Sequence, residues 1–235
     1  MTASVKILEL GTEALKEAAH ILGRGMCNNP ANVRAFAISD AESRRRALTR
    51  FFEPVLYGLY QRGIVLGAFL EEAMVGICGI ARPGFCQPAL LEKLRAVPAV
   101  LQCNPVLAGL RVSHWVSEWA RRDPALPHWH LGPVAVDTPM QRQGIGSAML
   151  SAFCSHMDAY GSLAYLETDR AENVNFYQKF GFTVMMESKV LGVSTWFMSR
   201  LSGSDYNTDD FLCGNAATNT SRKARTLALR SRREL

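Results

Sequence analysis

The chain has 235 residues, 48% of them apolar and 20% charged, with a formal net charge of +5. That length fits one large domain or one domain with appendages, and the apolar share is ample for a core, so a wholly disordered or fibrous chain is excluded. The six cysteines form no Cys-x-x-Cys pair, which in a chain of this size argues for reduced, buried thiols rather than a disulfide framework.

Val5 to Leu10 alternates apolar and polar residues and reads as an edge strand. No basic start followed by a long apolar run opens the chain, so no secretory signal is expected and a cytoplasmic location is the default. Thr12 is expected to cap a helix running to about Leu22, with Leu15, Ala18, Ala19 and Leu22 on one face and Gly23 or Gly25 at its end. A second helical region covers Asp40 to Arg62, punctuated by Pro54. Its three consecutive arginines, Arg44 to Arg46, read as a solvated helix face rather than a binding patch. Gly63 to Ala81 comes nearest to a membrane segment, but Glu71 and Glu72 interrupt it at its middle. It reads instead as a hairpin of Ile64 to Leu70 and Met74 to Ala81, and no membrane contact is expected.

Residues 83–127 are divided by Pro88, Pro98, Pro105, Pro124 and Pro127. Leu90-Leu91-x-x-Leu94 and Val106-Leu107-x-x-Leu110 suggest short amphipathic helices, and Trp115 and Trp119, four apart, would share a helix face. A structureless loop of this length is uncommon in a compact domain, so a helical insertion between the third and fourth strands is expected.

From Leu131 to Val136 an apolar run reads as a buried strand. It enters a turn at Thr138-Pro139 and opens a helix at Gln141-Arg-Gln-Gly-Ile-Gly146. The first N–H groups of a helix lack partners and lie at the positive end of its dipole, so such a turn suits a phosphate or pyrophosphate. A dinucleotide fold would need a third glycine where Met149 stands, and a nucleoside-triphosphate loop would need Gly-Lys-Ser/Thr, which does not occur. Leu163 to Thr168 reads as a further strand. A helix follows in which Asn173, Val174, Phe176, Tyr177 and Phe180 have helical spacing, with Gly181 placed to stop it.

Gln/Arg-x-x-Gly-x-Gly after the Val-Ala-Val strand resembles the pyrophosphate-binding motif of the GNAT superfamily of acyl-CoA-dependent N-acyltransferases. Asn173-Val-x-Phe-Tyr-x-Lys-Phe-Gly-Phe182 resembles that superfamily's second signature. The resemblance covers about residues 60–82 and 128–201. It implies an α/β (α+β layered) fold with a central mixed, mostly antiparallel sheet flanked by helices, filling residues 1–201.

It also implies an N-acetyltransferase with acetyl-CoA as co-substrate, a primary amine as acceptor, and direct attack in a ternary complex. Val134, Ala135 and Val136 would pair with the pantetheine arm, Val136 offering its N–H to the thioester carbonyl. The pyrophosphate would sit on the N–H groups of Arg142, Gln143, Gly144, Ile145, Gly146 and Ser147, with Gln141 opening the turn. Asn173 would contact the coenzyme and Tyr177 would protonate the leaving thiolate. Many family members carry an Asn where this chain has Arg170, one turn before Asn173.

The base stays open. His128-Trp-His130 places two imidazoles on one strand face, and His130 is one candidate. Glu167, near the end of the following strand, is its rival, and water-relayed proton loss is a third route. Spacing along the chain puts no acidic or cysteine partner beside the histidines, so no metal is expected. The insertion would shape the choice of acceptor, expected to be a small molecule, or would serve packing or a homodimer contact. Residues 202–235, with six basic and one acidic side chain in the last fifteen, read as a disordered basic tail in which nucleic-acid binding is not expected. A non-catalytic acyl-CoA sensor, or an adaptor with a nucleic-acid-binding tail, are the competing functions.

Overall fold

A computed structural model of the chain describes residues 4–87, Leu94 and residues 105–202. The expectations for the first short helix of the insertion and for the tail lie outside these residues, Leu94 apart.

The chain begins with β1 (Val5–Glu9), then α1 (Leu15–Gly25), α2 (Pro30–Phe36) and α3 (Ala41–Arg62). The hairpin of β2 (Gly63–Leu70) and β3 (Ala73–Ala81) follows, then α4 (Pro105–Ala120) and β4 (His128–Val136). After α5 (Ile145–Ala159), β5 (Leu163–Thr168) and α6 (Ala171–Gln178), a second hairpin, β6 (Thr183–Val190) and β7 (Val193–Arg200), closes the described chain. The seven strands form one sheet in the order β1-β2-β3-β4-β5-β7-β6. Its neighbours are antiparallel except β4 and β5, which run parallel. The layered, mostly antiparallel mixed sheet expected from the sequence is present, and α4 is the helix between its third and fourth strands.

Local chemistry accounts for the elements and for two departures. α1 buries Leu15, Ala18, Ala19 and Leu22, the positions whose spacing defines its apolar face. Thr12 is not its cap: it opens a one-turn 3-10 segment, Thr12–Ala14, for which Gly11 stands at the N-cap. The Asp40 carboxylate caps α3 by accepting the Ser43 N–H at 2.7 Å, an arrangement worth about 1 kcal/mol. α3 then runs through Pro54, which interrupts a ladder bond without ending the helix.

Of the three arginines, Arg45 and Arg46 lie on Glu42 in exposed pairs. Arg44 is instead buried. It donates to the carbonyls of Cys27 at 2.8 Å and Ile38 at 2.5 Å and to Asn28 Oδ1 at 2.9 Å. The connections around α2 leave those carbonyls without helical partners, and a long cationic side chain is what reaches them.

Each sheet face carries its own core. Helices α1 to α4 cover a face built from Val65, Ile77, Ala81, Ala135, Tyr165 and Phe197. On the other face α5 and α6 cover Val75, Cys78, Ile80, Trp129, Leu166 and Met198. Phe153 of α5 is fully buried there, and truncating it to alanine should cost about 3–5 kcal/mol.

The feature that positions the site is where β4 and β5 part. Their pairing consists of His128↔Leu163, Trp129↔Ala164 and His130↔Tyr165. Beyond it β4 stays paired with β3 as far as Val136↔Gly76, and β5 stays paired with β7 as far as Thr168↔Trp196. From Leu131 onward the two strands diverge, and each offers an unpaired edge to the gap. Gly132 and Pro133, joined by a cis peptide bond, fall at an irregularity where β4 carries one residue more than β3.

Candidate active site

A cavity of about 480 Å³ opens at this divergence. Leu131, Gly132, Pro133 and Val134 line it from β4, Glu167 and Thr168 from β5, Asn173 and Tyr177 from α6. Although α6 belongs to the opposite sheet face, Tyr177 reaches the same space as His130 through the gap. Helices α3 and α4 complete the wall with apolar groups, including Phe52, Leu59, Val112, Trp115 and Trp119. The two indoles, expected on one face, meet edge to face with ring centroids 5.0 Å apart.

At one end of this apolar volume lies a polar cluster. His128 and His130 share a face, both rings 5.3 Å from that of Tyr165, whose hydroxyl donates to the Arg122 carbonyl at 3.1 Å. The two rival bases are joined: His130 Nε2 lies 2.8 Å from Glu167 Oε2. On its other side His130 Nδ1 faces Asp123 Oδ1 at 3.8 Å, beyond hydrogen-bond length. His128 Nδ1 lies 2.8 Å from the Leu126 carbonyl, which fixes Nδ1 as the donor and leaves Nε2 as an acceptor for the Cys86 thiol at 3.3 Å.

These contacts move the titrations. Burial works to lower the His130 value, but the Glu167 charge, the Cys86 and Glu167 hydrogen bonds and the Asp123 charge raise it well above the ordinary 6.5. Burial raises the Asp123 carboxyl above its usual range, against the pull of His130. For Cys86, burial pushes the thiol up, yet hydrogen bonds to His128 and His130 bring it down to about 7. Tyr177 is raised, chiefly by burial, so its phenol keeps its proton at neutral pH.

The glycine-bearing turn is a separate, open part of the site. Gly144 has φ of 82° and precedes α5; an added Cβ there would meet nothing within 4 Å. The first helical bond runs from the Ala148 N–H to the Gly144 carbonyl at 2.9 Å, so the amides from Ile145 to Ser147 have no helical partner. Arg142 is also left-handed, with φ of 62°, and its side chain is exposed. Gln141 and Gln143 brace the turn through the Val136 and Pro139 carbonyls, at 3.1 Å and 3.2 Å. The Gln141 N–H is taken up by Thr138, which leaves the amides from Arg142 onward for a ligand. A bidentate pair fixes the base of the turn: Arg24 of α1 holds Asp137 through bonds of 2.8 Å and 2.6 Å.

The structure thus gathers Val134, His130, Glu167, Asn173 and Tyr177 at one cavity, while Ala135, Val136 and residues 141–147 lie along the neighbouring strand and turn. The Asn173 side chain is already engaged, donating to Thr168 Oγ1 at 3.2 Å. Sequence reasoning missed Cys86, Asp123 and Arg24, whose partners lie 42, 7 and 113 positions away along the chain. No local pattern carries such contacts.

A strand whose free edge runs into an amide-rich helix start, beside a buried tyrosine, is the architecture of one class of acyl-transfer protein. The family sequence model described as the Acetyltransferase (GNAT) family matches residues 37–182, and the chain belongs to that family. Among solved structures it is similar to histone acetyltransferase HPA2 and related acetyltransferase from Corynebacterium glutamicum (20% identity, 87% of this chain and 99% of that one, TM-score 0.66). It also matches the ribosomal-protein-S18-alanine N-acetyltransferase of Escherichia coli (16% identity, 87% and 98% covered, TM-score 0.50). A third match is Ard1 from Thermoplasma volcanium (14% identity, 85% and 99% covered, TM-score 0.50). At these identities the likeness is one of fold.

Proposed function

We propose that the protein transfers an acetyl group from acetyl-CoA to the primary amine of a small acceptor with an apolar body, by direct attack in a ternary complex. One observation carries this reading: a single cavity joins the free edge of β4, the Tyr177 side chain and the His130–Glu167 pair through the gap between β4 and β5. The pantetheine arm would lie along Val134, Ala135 and Val136, with the Val136 N–H toward the thioester carbonyl, where charge develops on oxygen. The unpaired amides from Arg142 to Ser147 would hold the pyrophosphate.

Proton traffic follows from the placement of the groups. An amine reaches the site mostly as ammonium, and Asp123 and Glu167 supply negative charge at the end of the apolar volume. His130 takes the proton as the amine attacks, with Glu167 orienting the ring and supporting the imidazolium. Tyr177 donates its phenol proton to the departing coenzyme sulfur, a role suited to a buried, protonated hydroxyl. The tryptophans and phenylalanines of α3 and α4 then favour an acceptor with aromatic or aliphatic bulk.

Calorimetric titration with acetyl-CoA tests the coenzyme site, with Gly146→Glu as the comparison. An added Cβ at Gly146 meets Phe176 at an ordinary 3.5 Å, and a carboxylate in the first turn of a helix suits its dipole, so the variant should fold. Its charge would nonetheless lie where the pyrophosphate belongs. Micromolar-range binding by the wild type, lost in the variant, is expected. An absence of binding by folded wild-type protein would overturn the reading.

A further inference from the structure

We propose that Cys86, His128 and His130 form a binding site for one Zn2+ ion, with Asp123 beside it, and that its occupation shuts the acceptor end of the cavity. The donors come from the segment after β3 and from β4, and the connection after α4 brings Asp123 up to His130. One ligand atom from each of Cys86, His128 and His130 lies within 4.8 Å of the other two, and the same holds for Asp123, His130 and Glu167. His130 is common to both groups.

The ring nitrogens decide which atoms are free to face an ion. A histidine that binds a metal through one nitrogen commonly donates its other N–H to a carboxylate or a backbone carbonyl. Both arrangements occur here. His128 Nδ1 is committed to the Leu126 carbonyl at 2.8 Å, leaving Nε2 beside the Cys86 sulfur. His130 Nε2 is committed to Glu167 at 2.8 Å, leaving Nδ1 toward Asp123.

His130 Nδ1 and Asp123 Oδ1 are buried without a hydrogen-bond partner, an arrangement that is costly unless something polar lies between them. The 3.3 Å from Cys86 Sγ to His128 Nε2 is close to the roughly 3.4–3.6 Å that tetrahedral zinc bond lengths imply for neighbouring ligands. A thiolate and two imidazoles suit Zn2+ and disfavour Mg2+ or Ca2+, which prefer oxygen donors. Binding releases the thiol proton of Cys86 to solvent, together with any proton on His130 Nδ1.

The site stands on this geometry alone; its effect on turnover rests on the transferase reading. With Nδ1 on the metal and Nε2 on Glu167, His130 has no nitrogen left to receive the amine proton. A cation bound beside Asp123 also cancels the pull of that carboxylate on an ammonium. Zinc therefore competes with the amine and leaves acetyl-CoA binding unaffected.

Titration of the full-length chain with Co2+ as a spectroscopic stand-in tests the site directly. One equivalent should bring a thiolate-to-cobalt charge-transfer band, displaced by one equivalent of Zn2+. Cys86→Ser should abolish the band, and His128→Gln should weaken binding by at least a hundredfold, more than the ~10–100-fold typical of losing an outer-shell partner. A measurement without substitution guards against misfolded variants: alkylation of Cys86, followed by peptide mass spectrometry, should be slowed by Zn2+. No band with wild-type protein, a band retained in folded Cys86→Ser, or alkylation of Cys86 indifferent to Zn2+ would each overturn the proposal. These readouts do not depend on turnover, so loss of the transferase reading would leave them interpretable.

Discussion

His130 and Glu167 meet at 2.8 Å from adjacent strands, Glu167 lying two residues beyond the last rung of their pairing, His130↔Tyr165. In the proposed mechanism the imidazole is the proton acceptor and the carboxylate its support. The charge of Glu167 is a cause of His130 standing well above 6.5. Because the free imidazole is the active form, kcat/KM should climb as pH rises through that raised value. Removing the charge with Glu167→Gln should move this limb to lower pH while lowering the plateau by about tenfold or more. A pH–rate profile taken with a chelator present checks it, and an unmoved limb would exclude the pair.

Tyr177→Phe removes one oxygen and little packing, since the ring still rests on Phe176 and Phe182 at 5.4 Å and 6.0 Å. The expected result is a fall in kcat of about a hundredfold with acetyl-CoA affinity close to wild type. Thiol-release kinetics paired with calorimetry separate the two effects.

The Arg24–Asp137 pair supports the turn rather than the chemistry. Arg24 hydrogen-bonds Asp137 and holds its carboxyl below the ordinary range, so the pair contributes stability above the unfolded value of ~3.9 and loses it as pH falls through the lower folded value. With side chains 34% and 17% exposed, solvent limits the contribution to about 1 kcal/mol. Asp137→Asn should lower unfolding free energy by that amount at neutral pH, and the difference should close in acid. Urea melts at both pH values measure it.

Trp119→Ala should raise KM for aromatic or long aliphatic amines by roughly tenfold, in keeping with ~1–3 kcal/mol for apolar pocket contacts, and leave short amines unaffected. An equal loss for both classes would mean that the tryptophan serves packing alone.

Much of the frame was legible because the decisive elements are local. A glycine before a helix start, an apolar face at helical spacing and a hairpin broken by Glu71-Glu72 each fit within about twenty residues. α2 escaped notice because its seven residues are too few to establish a period, although Pro30 at its first turn marked the start. No strand was read over β6 and β7, which lay only within the span of the family resemblance. β6 is exposed along most of its length, so its Val-Met-Met run lacks the alternation of a half-buried strand. Arg44, Cys86 and Asp123 were illegible for another reason: their partners lie in other segments, and only the closed fold brings them together.

Among the described residues, the three rungs between β4 and β5 are the whole of the strand pairing that joins β1–β4 to β5–β7. A molecule lodged between the diverging edges would bond to one side and pack against the other, acting as an eighth strand not encoded in the chain. Amides of Val134 and Val136, which face the gap while that of Ala135 faces β3, should then exchange hydrogen quickly in the empty protein and slowly once it is filled. Thermal unfolding should become steeply dependent on coenzyme concentration. The cell's supply of acetyl-CoA would in this way set how long the protein survives as well as how fast it turns over.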